Sequence, residues 1–506
     1  MKRMQTKLVQ GKLDPKKTRQ WGEPGVDLRP DGKTICLILE GAYPYIAGGV
    51  SSWVQQLITK MKDFRFKILT IMASDEADME IKYTFPENVI EFRTIYLYHY
   101  LTVKQERFRK KILLSAEERE VLRKFILFDP SVDWKMVTNL ICRPEKIGNT
   151  IDFLMSYDFF DELVVLYNTK YQSEGFNIFF WTFRSMLATL ICVMQQQMPE
   201  ADLYHAISTG YAGLLGLIAR YTYNKPFLLT EHGIYARERE EEILKADWVQ
   251  GVYKRLWIEY FYFLSIGAYK SADRTVALFP HNREIQVSLG VSARKALVIP
   301  NGVDDGSFPK HKEEKAGIIV GAILRVVPIK DVKTLIRAFN FVIRAYPEAK
   351  LLMIGPTDED KEYSRECMNL IDDLGLQEFI VFTGRVNIKE YMPRIDMIVL
   401  TSISEAQPLV ILESYACETP VVATDVGSCR DLVEGVDDGI GPAGIITKPV
   451  SPRETAEAIM KLCGDPELRR EMGKNGLERI RKHYNSTAVF RTYARLYEQI
   501  LEDEIF

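Results

Sequence analysis

Apolar and polar positions alternate along this chain with two periods, most clearly in its second half. Short apolar runs at 318–324, 350–354, 380–382, 397–400, 421–423 and 444–446 have the length and near-continuous hydrophobicity of buried strands. Between them, 332–345, 360–374, 409–416 and 454–463 place apolar residues at three- and four-residue spacing, which predicts amphipathic helices. Strand and helix alternating at this spacing predict a parallel sheet covered on both faces, a doubly wound α/β domain.

The first half repeats the theme less regularly. Strands are predicted at 35–40, 67–72, 89–92, 203–206, 227–230 and 275–278. The first runs through Gly-Ala-Tyr-Pro-Tyr-Ile-Ala-Gly-Gly-Val into a helix predicted to begin near Ser51 or Ser52, both good N-caps. Residues from about 100 to 200 read as helical, charged and interleaved with Phe and Tyr, an insertion in the first domain. A turn-rich segment, Pro300-Asn301-Gly302-Val303-Asp304-Asp305-Gly306, marks the boundary. The expected organisation is a basic tail over 1–30, a first domain over 31–305, a second over 306–483, and a final helix over 484–506 that packs back on the first domain.

Composition bounds the class. The chain has 506 residues, 47% apolar and 27% charged, the profile of a globular protein of two to four domains. A net charge of −3 supplies no general attraction to nucleic acid. Seven scattered cysteines without a C-x-x-C pair suggest reduced thiols in a cytoplasmic setting. No apolar signal segment opens the chain. Residues 178–194 approach the length of a membrane span, but Arg184 interrupts them, and a buried helix is expected. Residues 1–20 carry seven Lys or Arg and one Asp: a solvated tail, or a tether to an anionic membrane surface or a partner.

Four segments carry candidate chemistry. In Ser404-Glu405-Ala406-Gln407-Pro408-Leu409-Val410-Ile411-Leu412-Glu413, Glu405 falls in the loop after an apolar strand, Pro408 suits a first helical turn, and Glu413 sits inside that helix. Ligands of open α/β sheets bind at such strand ends, where helix-start amides hold phosphate and carboxylates accept from sugar hydroxyls. Arg325 and Lys330 flank the loop after another strand and could neutralise a diphosphate leaving group. Gly48-Gly49 lets backbone approach a ligand closely, and His232, in Thr230-Glu231-His232-Gly233, could bond a sugar hydroxyl. The competing reading is structural throughout: a turn cap at Glu405, a paired buried acid at Glu413, solvated loop cations, a packed histidine. No metal-ligand spacing, nucleophile elbow or P-loop stands out.

Taken together, these segments resemble glycosyltransferase family 4, retaining enzymes of GT-B fold. The most specific piece is Glu405-x7-Glu413. It is supported by Arg325 with Lys330, Asn301-Gly302-Val303-Asp304, Phe382-Thr383-Gly384-Arg385-Val386 and Pro420-Val421-Val422-Ala423-Thr424-Asp425-Val426-Gly427. The opening segment from Leu39 to Val54, the long helical insertion and the Ser-Glu-Ala-Gln-Pro form of the carboxylate motif are similar to the branch containing the Pel exopolysaccharide glycosyltransferase, PelF. The resemblance implies two Rossmann-like domains facing across a cleft. It implies transfer of a hexose or N-acetylhexosamine from a UDP-sugar to a growing polysaccharide, with no metal or other cofactor.

Residue by residue, the resemblance implies that Glu405 contacts the donor sugar near its reacting carbon and Glu413 accepts from ribose hydroxyls. Arg325 and Lys330 would hold the diphosphate, and the amides of Gln407, Leu409 and Val410 would line sugar and phosphate. Arg385, Gly48 and Gly49 join the donor-binding set, and His232 touches the sugar from the other domain. Ala406 and Leu324 stand beside the donor where many members have Gly. The implied setting is cytoplasmic, peripheral at the inner face of the membrane, with an inner-membrane Pel synthase and transport complex as partner. A UDP-sugar epimerase on the same fold and a non-catalytic nucleotide-sugar-binding scaffold are the rival readings.

Overall fold

The computed structural model describes residues 32–502 apart from 42, 74–79, 99–111, 113, 311 and 314–316. The tail over 1–30 and residues 503–506 lie outside the described residues.

Seven strands form the first sheet: β1 (Thr34–Glu40), β2 (Arg65–Met72), β3 (Val89–Tyr96), β4 (Leu203–Ala206), β5 (Phe227–Glu231), β6 (Arg274–Ala277) and β7 (Ala296–Val298). Their spatial order is β3-β2-β1-β4-β5-β6-β7 with every pairing parallel. Six form the second: β8 (Ile319–Ile323), β9 (Lys350–Ile354), β10 (Ile380–Gly384), β11 (Met397–Leu400), β12 (Val421–Thr424) and β13 (Gly444–Thr447). Their order, β10-β9-β8-β11-β12-β13, repeats the same winding, again all parallel. Winding reverses between β1 and β4 and between β8 and β11. Neighbouring crossovers there leave on opposite faces and open a crevice at the strands' carboxyl ends. Strand β7, edge-lying and three residues long, is not among the predicted strands, although Ala296-Leu297-Val298-Ile299 is a continuous apolar run.

The helices follow from their patterns. Val332–Ala345 buries Leu335, Ile336, Phe339 and Val342, one stripe of a 3.6-residue period. The insertion is integral to the first core. Ala116–Ile126 starts in a capping box between Ser115 and Glu118. Trp134 of the next helix lies 4.8 Å from Phe263 of the crossover helix Val252–Ser271, ring to ring.

Two expectations need correction. The apolar run at 178–194 belongs to the helix Phe176–Met194, of which only the second half is enclosed, from Met186 onward. Phe179 and Phe183 are buried, but Ile178 is 61% and Trp181 56% exposed. The protein covers one side of its first turns, and the exposed side carries Ile178 and Trp181 beside polar Asn177 and Ser185. The helix after β1 begins at Gly49, not near Ser51 or Ser52. Its N-cap is Gly48, without a side-chain cap, and the Ser52 amide donates to the Gly48 carbonyl at 2.9 Å.

The last helix, Ser486–Glu502, packs into the core of the first domain through Val489, Phe490, Tyr493, Leu496, Tyr497 and Ile500, beside Trp53 and Leu57. Buried His205 joins it to the sheet, bonded to the Tyr497 hydroxyl at 2.7 Å and to Thr230 at 2.8 Å. The chain therefore passes between domains twice, side by side. The Val303 amide donates to the Tyr484 carbonyl at 2.8 Å and the Ser486 amide to the Val303 carbonyl at 3.0 Å.

Candidate active site between the two sheets

The second sheet brings its motif residues together at the switch point. Lys330 arrives on the loop after β8 and Glu405 on the loop after β11, and the two form an ion pair. Both are recessed, with side chains 19% and 12% exposed. Ser402 donates to the same Glu405 oxygen at 2.6 Å. The two loops are laced together: the Ile403 amide donates to the Ile329 carbonyl at 2.9 Å, and the Thr401 hydroxyl bonds the carbonyls of Lys330 and Asp331. Gly427, at φ +54°, lets the loop after β12 lie on this backbone, because a Cβ there would sit 2.0 Å from the Glu405 carbonyl.

The helix that follows, Leu409–Ala416, has Pro408 as N-cap and no side-chain cap. The amides of Gln407, Leu409 and Val410 have no backbone acceptor among the described residues, so this end presents free donors and positive dipole. The Gln407 side chain accepts from the Asn301 amide at 2.6 Å and ties the loop to the interdomain crossing. Glu413 lies one turn in. Burial pushes its carboxyl up to about 7, with Lys389 opposing, and no described residue donates a hydrogen bond to it.

The other cations stand apart from that pair. Arg325 is 57% exposed and donates to Glu359 at 2.9 Å. Arg385 approaches the same Glu359 at 3.5 Å and Asp358 at 3.6 Å. Glu359 thus gathers two arginines on one rim of the crevice, and the structure does not bring Arg325 into contact with Lys330.

The first domain supplies the facing wall. A Cβ on Gly49 would lie 3.4 Å from the Leu409 side chain, so the uncapped starts of two helices, one per domain, meet here. Trp53, one turn along, packs edge-on against His232 with ring centroids 4.8 Å apart. Burial holds the His232 imidazole down at about 4, hence neutral at pH 7. His232 Nε2 and Trp53 Nε1 are both buried without a partner among the described residues, and unmatched polar atoms of this kind are costly unless a ligand or water meets them.

Two carboxylates, buried Glu231 and half-buried Glu40, hold the loop that carries His232. Glu231 accepts from Tyr269 at 2.5 Å, Gln286 at 2.9 Å, Thr209 at 3.1 Å and the Tyr235 amide at 3.3 Å. Burial raises its carboxyl to about 7 against those donors. Glu40, raised for the same first reason, accepts from the Tyr235 hydroxyl at 2.7 Å and from the Tyr211 and Ala212 amides at 2.9 and 3.4 Å. Motif reading passed over Ser402, Glu359, Trp53 and these two acids as site residues. An acid closing a buried apolar strand, as at Glu40 and Glu231, was the available signal. The acidic turn near Asp437-Asp438 is structural: Asp438 pairs with buried Arg479 at 2.8 Å.

Comparison with known proteins fits this geometry. A D-inositol 3-phosphate glycosyltransferase of Kineococcus radiotolerans is 29% identical over 234 residues, 42% of this chain and 53% of that protein, so the chain spans about half the length of that relative. Sucrose-phosphate synthase from Thermosynechococcus elongatus superposes with a TM-score of 0.60 at 20% identity, over 93% of this chain and 100% of that one. Anabaena HepE, solved with UDP and glucose, superposes with a TM-score of 0.58 at 16% identity, over 92% and 100%. The fold is therefore GT-B. Residues 304–479 match the family Glycosyl transferases group 1. Residues 33–294, just over half of the chain, match Domain of unknown function (DUF3492), and the chain belongs to that family, with a group 1 glycosyl transferase domain as its second half.

Proposed function

We propose that this protein transfers a hexose or N-acetylhexosamine from a UDP-sugar to a growing exopolysaccharide, with retention at the anomeric carbon. The observation that carries the reading is the recessed Lys330–Glu405 pair beside an uncapped helix start, with Glu413 unpartnered one turn further on. Lys330 and the free amides meet the diphosphate, whose charge grows as the glycosidic bond breaks; Arg325 and Arg385 on the rim add to that field. Glu405 faces the sugar near the reacting carbon, Glu413 accepts from the ribose hydroxyls, and neutral His232 bonds a sugar hydroxyl from the opposite wall. The departing diphosphate takes the acceptor's proton. Closure about the paired crossings at Val303 and Ser486 excludes water from the site.

The printed ligands of HepE, UDP and glucose, support a UDP-sugar as donor. The similarity of residues 39–54 to the Pel branch supports a polymeric acceptor, delivered to a synthase and transport complex at the inner face of the membrane. Titration calorimetry with UDP, ADP and GDP, then a panel of UDP-hexoses, tests the reading. Selective binding of UDP and one hexose, abolished in Glu413→Ala, is expected. A folded protein that binds no nucleotide would be a scaffold, and product formed from donor alone would mark an epimerase.

A further inference from the structure

Two donors reach the Glu405 carboxylate, and both bond the same oxygen. Lys330 pairs with Oε1, and the Ser402 hydroxyl donates to Oε1 at 2.6 Å. Oε2 has no partner among the described residues. The two donors differ in what else they can serve. Lys330 carries three N–H groups on a flexible stem and is reached by solvent, so a diphosphate entering the recess draws on the same ammonium. Ser402 is completely enclosed, at 0% exposure, and has a single O–H to give. No ligand reaches that hydroxyl, and its proton is already committed to Glu405.

Ser402 is itself immobilised. Its carbonyl accepts from the Thr424 hydroxyl at the end of β12, at 2.7 Å. Its neighbours on both sides bind the Lys330 loop: Thr401 through its hydroxyl to the carbonyls of Lys330 and Asp331, and Ile403 through its amide to the Ile329 carbonyl. A donor pinned in this way is a fixed reference point for the carboxylate. A rotation that exchanged Oε1 with Oε2 would break two charge-assisted bonds at once, so Oε2 is the oxygen left to meet a ligand. We infer that Ser402 is a positioning residue: its hydroxyl fixes Glu405 with Oε1 against Lys330 and Oε2 turned to the donor sugar, and it maintains that orientation when Lys330 engages the diphosphate. The inference rests on the glycosyltransferase reading and adds to it a residue that acts without touching the ligand. Without the Ser402 bond, Glu405 is held only by Lys330 beside a diphosphate of like charge, and repulsion turns the carboxylate away from the reacting carbon.

A Ser-x-x-Glu contact also serves as an ordinary turn-stabilising bond, so position and stability must be read separately. Ser402→Ala removes the donor, and Ser402→Cys keeps the shape while offering only a weak one. Both are compared with wild type in melting temperature, in UDP affinity by calorimetry, and in acceptor-free hydrolysis of UDP-glucose, UDP-N-acetylglucosamine and UDP-N-acetylgalactosamine. Hydrolysis is measured at donor saturation, where the diphosphate is in place. Both variants should hydrolyse the preferred donor about 10–100-fold more slowly, the range of a lost hydrogen bond to a charged group. UDP affinity should stay within about twofold of wild type, because UDP carries no sugar for Glu405 to meet, and melting temperatures should lie close to wild type. An unchanged saturated rate in either variant, a loss confined to KM, or an equal loss of UDP affinity would each overturn the positioning role and leave the transferase intact. A wild type that binds no UDP or hydrolyses none of these donors would instead remove the transferase reading, and this inference with it.

Discussion

The two sheets share one winding and use their switch points differently. In the second domain, the helix after β8 is capped by the Asp331 carboxylate, which accepts from the Thr334 amide, while the helix after β11 starts uncapped at Leu409. In the first domain the roles are exchanged. The helix after β1 starts uncapped at Gly49, while the helix after β4, Gly210–Thr222, has its first amides filled by Glu40. Each domain thus closes one helix start with its own acid and leaves the other open, and the two open starts face each other. A parallel sheet offers anion sites wherever a crossover helix begins. Side chains decide which stay available. The carboxylate of Glu40 already occupies the place a phosphate would take after β4, so a ligand's negative charge is directed between Gly49 and Leu409.

The largest expected effect tests the open site in the second domain. Lys330→Ala should lower turnover about 10²–10³-fold, the range of a lost transition-state charge partner, with a melting temperature close to wild type. Undiminished turnover measured under donor saturation would show that Lys330 does not serve the diphosphate. Next, Glu413→Gln should weaken UDP binding about 10–100-fold at pH 8, the range of a lost charge-assisted bond. With its carboxyl at about 7 in the free protein, wild-type affinity should tighten as pH rises through 7, because the ionised form accepts from ribose; the variant should show no such rise. Linked stability runs the other way. Proton binding by the raised carboxyl adds stability that is full below the ordinary carboxylate range and is lost as pH rises through about 7.

The closed site in the first domain should respond in stability rather than in affinity. Glu40→Gln sets an amide against backbone donors and should cost about 1–3 kcal/mol. UDP affinity, read by calorimetry on the same samples, should hold; a large loss there would make Glu40 part of the ligand site and break the contrast. The smallest effect is expected at the returning helix. Tyr497→Phe removes the hydroxyl bonded to buried His205 and should cost about 1 kcal/mol in chemical denaturation. A loss of several kcal/mol would mean that the helix, rather than the sheet, organises the wall behind Trp53.

Much of the second domain was legible because its strands are buried on both faces and bounded by turns. The run 397–400 coincides with β11 and 350–354 with β9. The first domain was less legible where packing overrides local pattern. Strand β7 is not among the predicted strands although its run is apolar, and the helix at Gly49 begins before its serines because the glycine pair bends into it without a side-chain cap. The ion pair of Lys330 with Glu405 joins residues 75 positions apart, and no spacing rule connects them. Sequence also placed Arg325 beside Lys330 in function, whereas the structure turns it toward Glu359 and Arg385.

By itself the sequence determined the periodicities, and with them two parallel sheets and the loops that carry acids, cations and glycines at strand ends. Those features depend on neighbours a few residues apart, where strand and helix geometry act directly. Only the tertiary structure decided which loops meet, which helix start Glu40 closes, and which buried nitrogens at Trp53 and His232 have no partner among the described residues. Such outcomes depend on side chains brought together from distant segments, and on burial, which sets the protonation of Glu413, Glu231 and His232 and which no local pattern encodes.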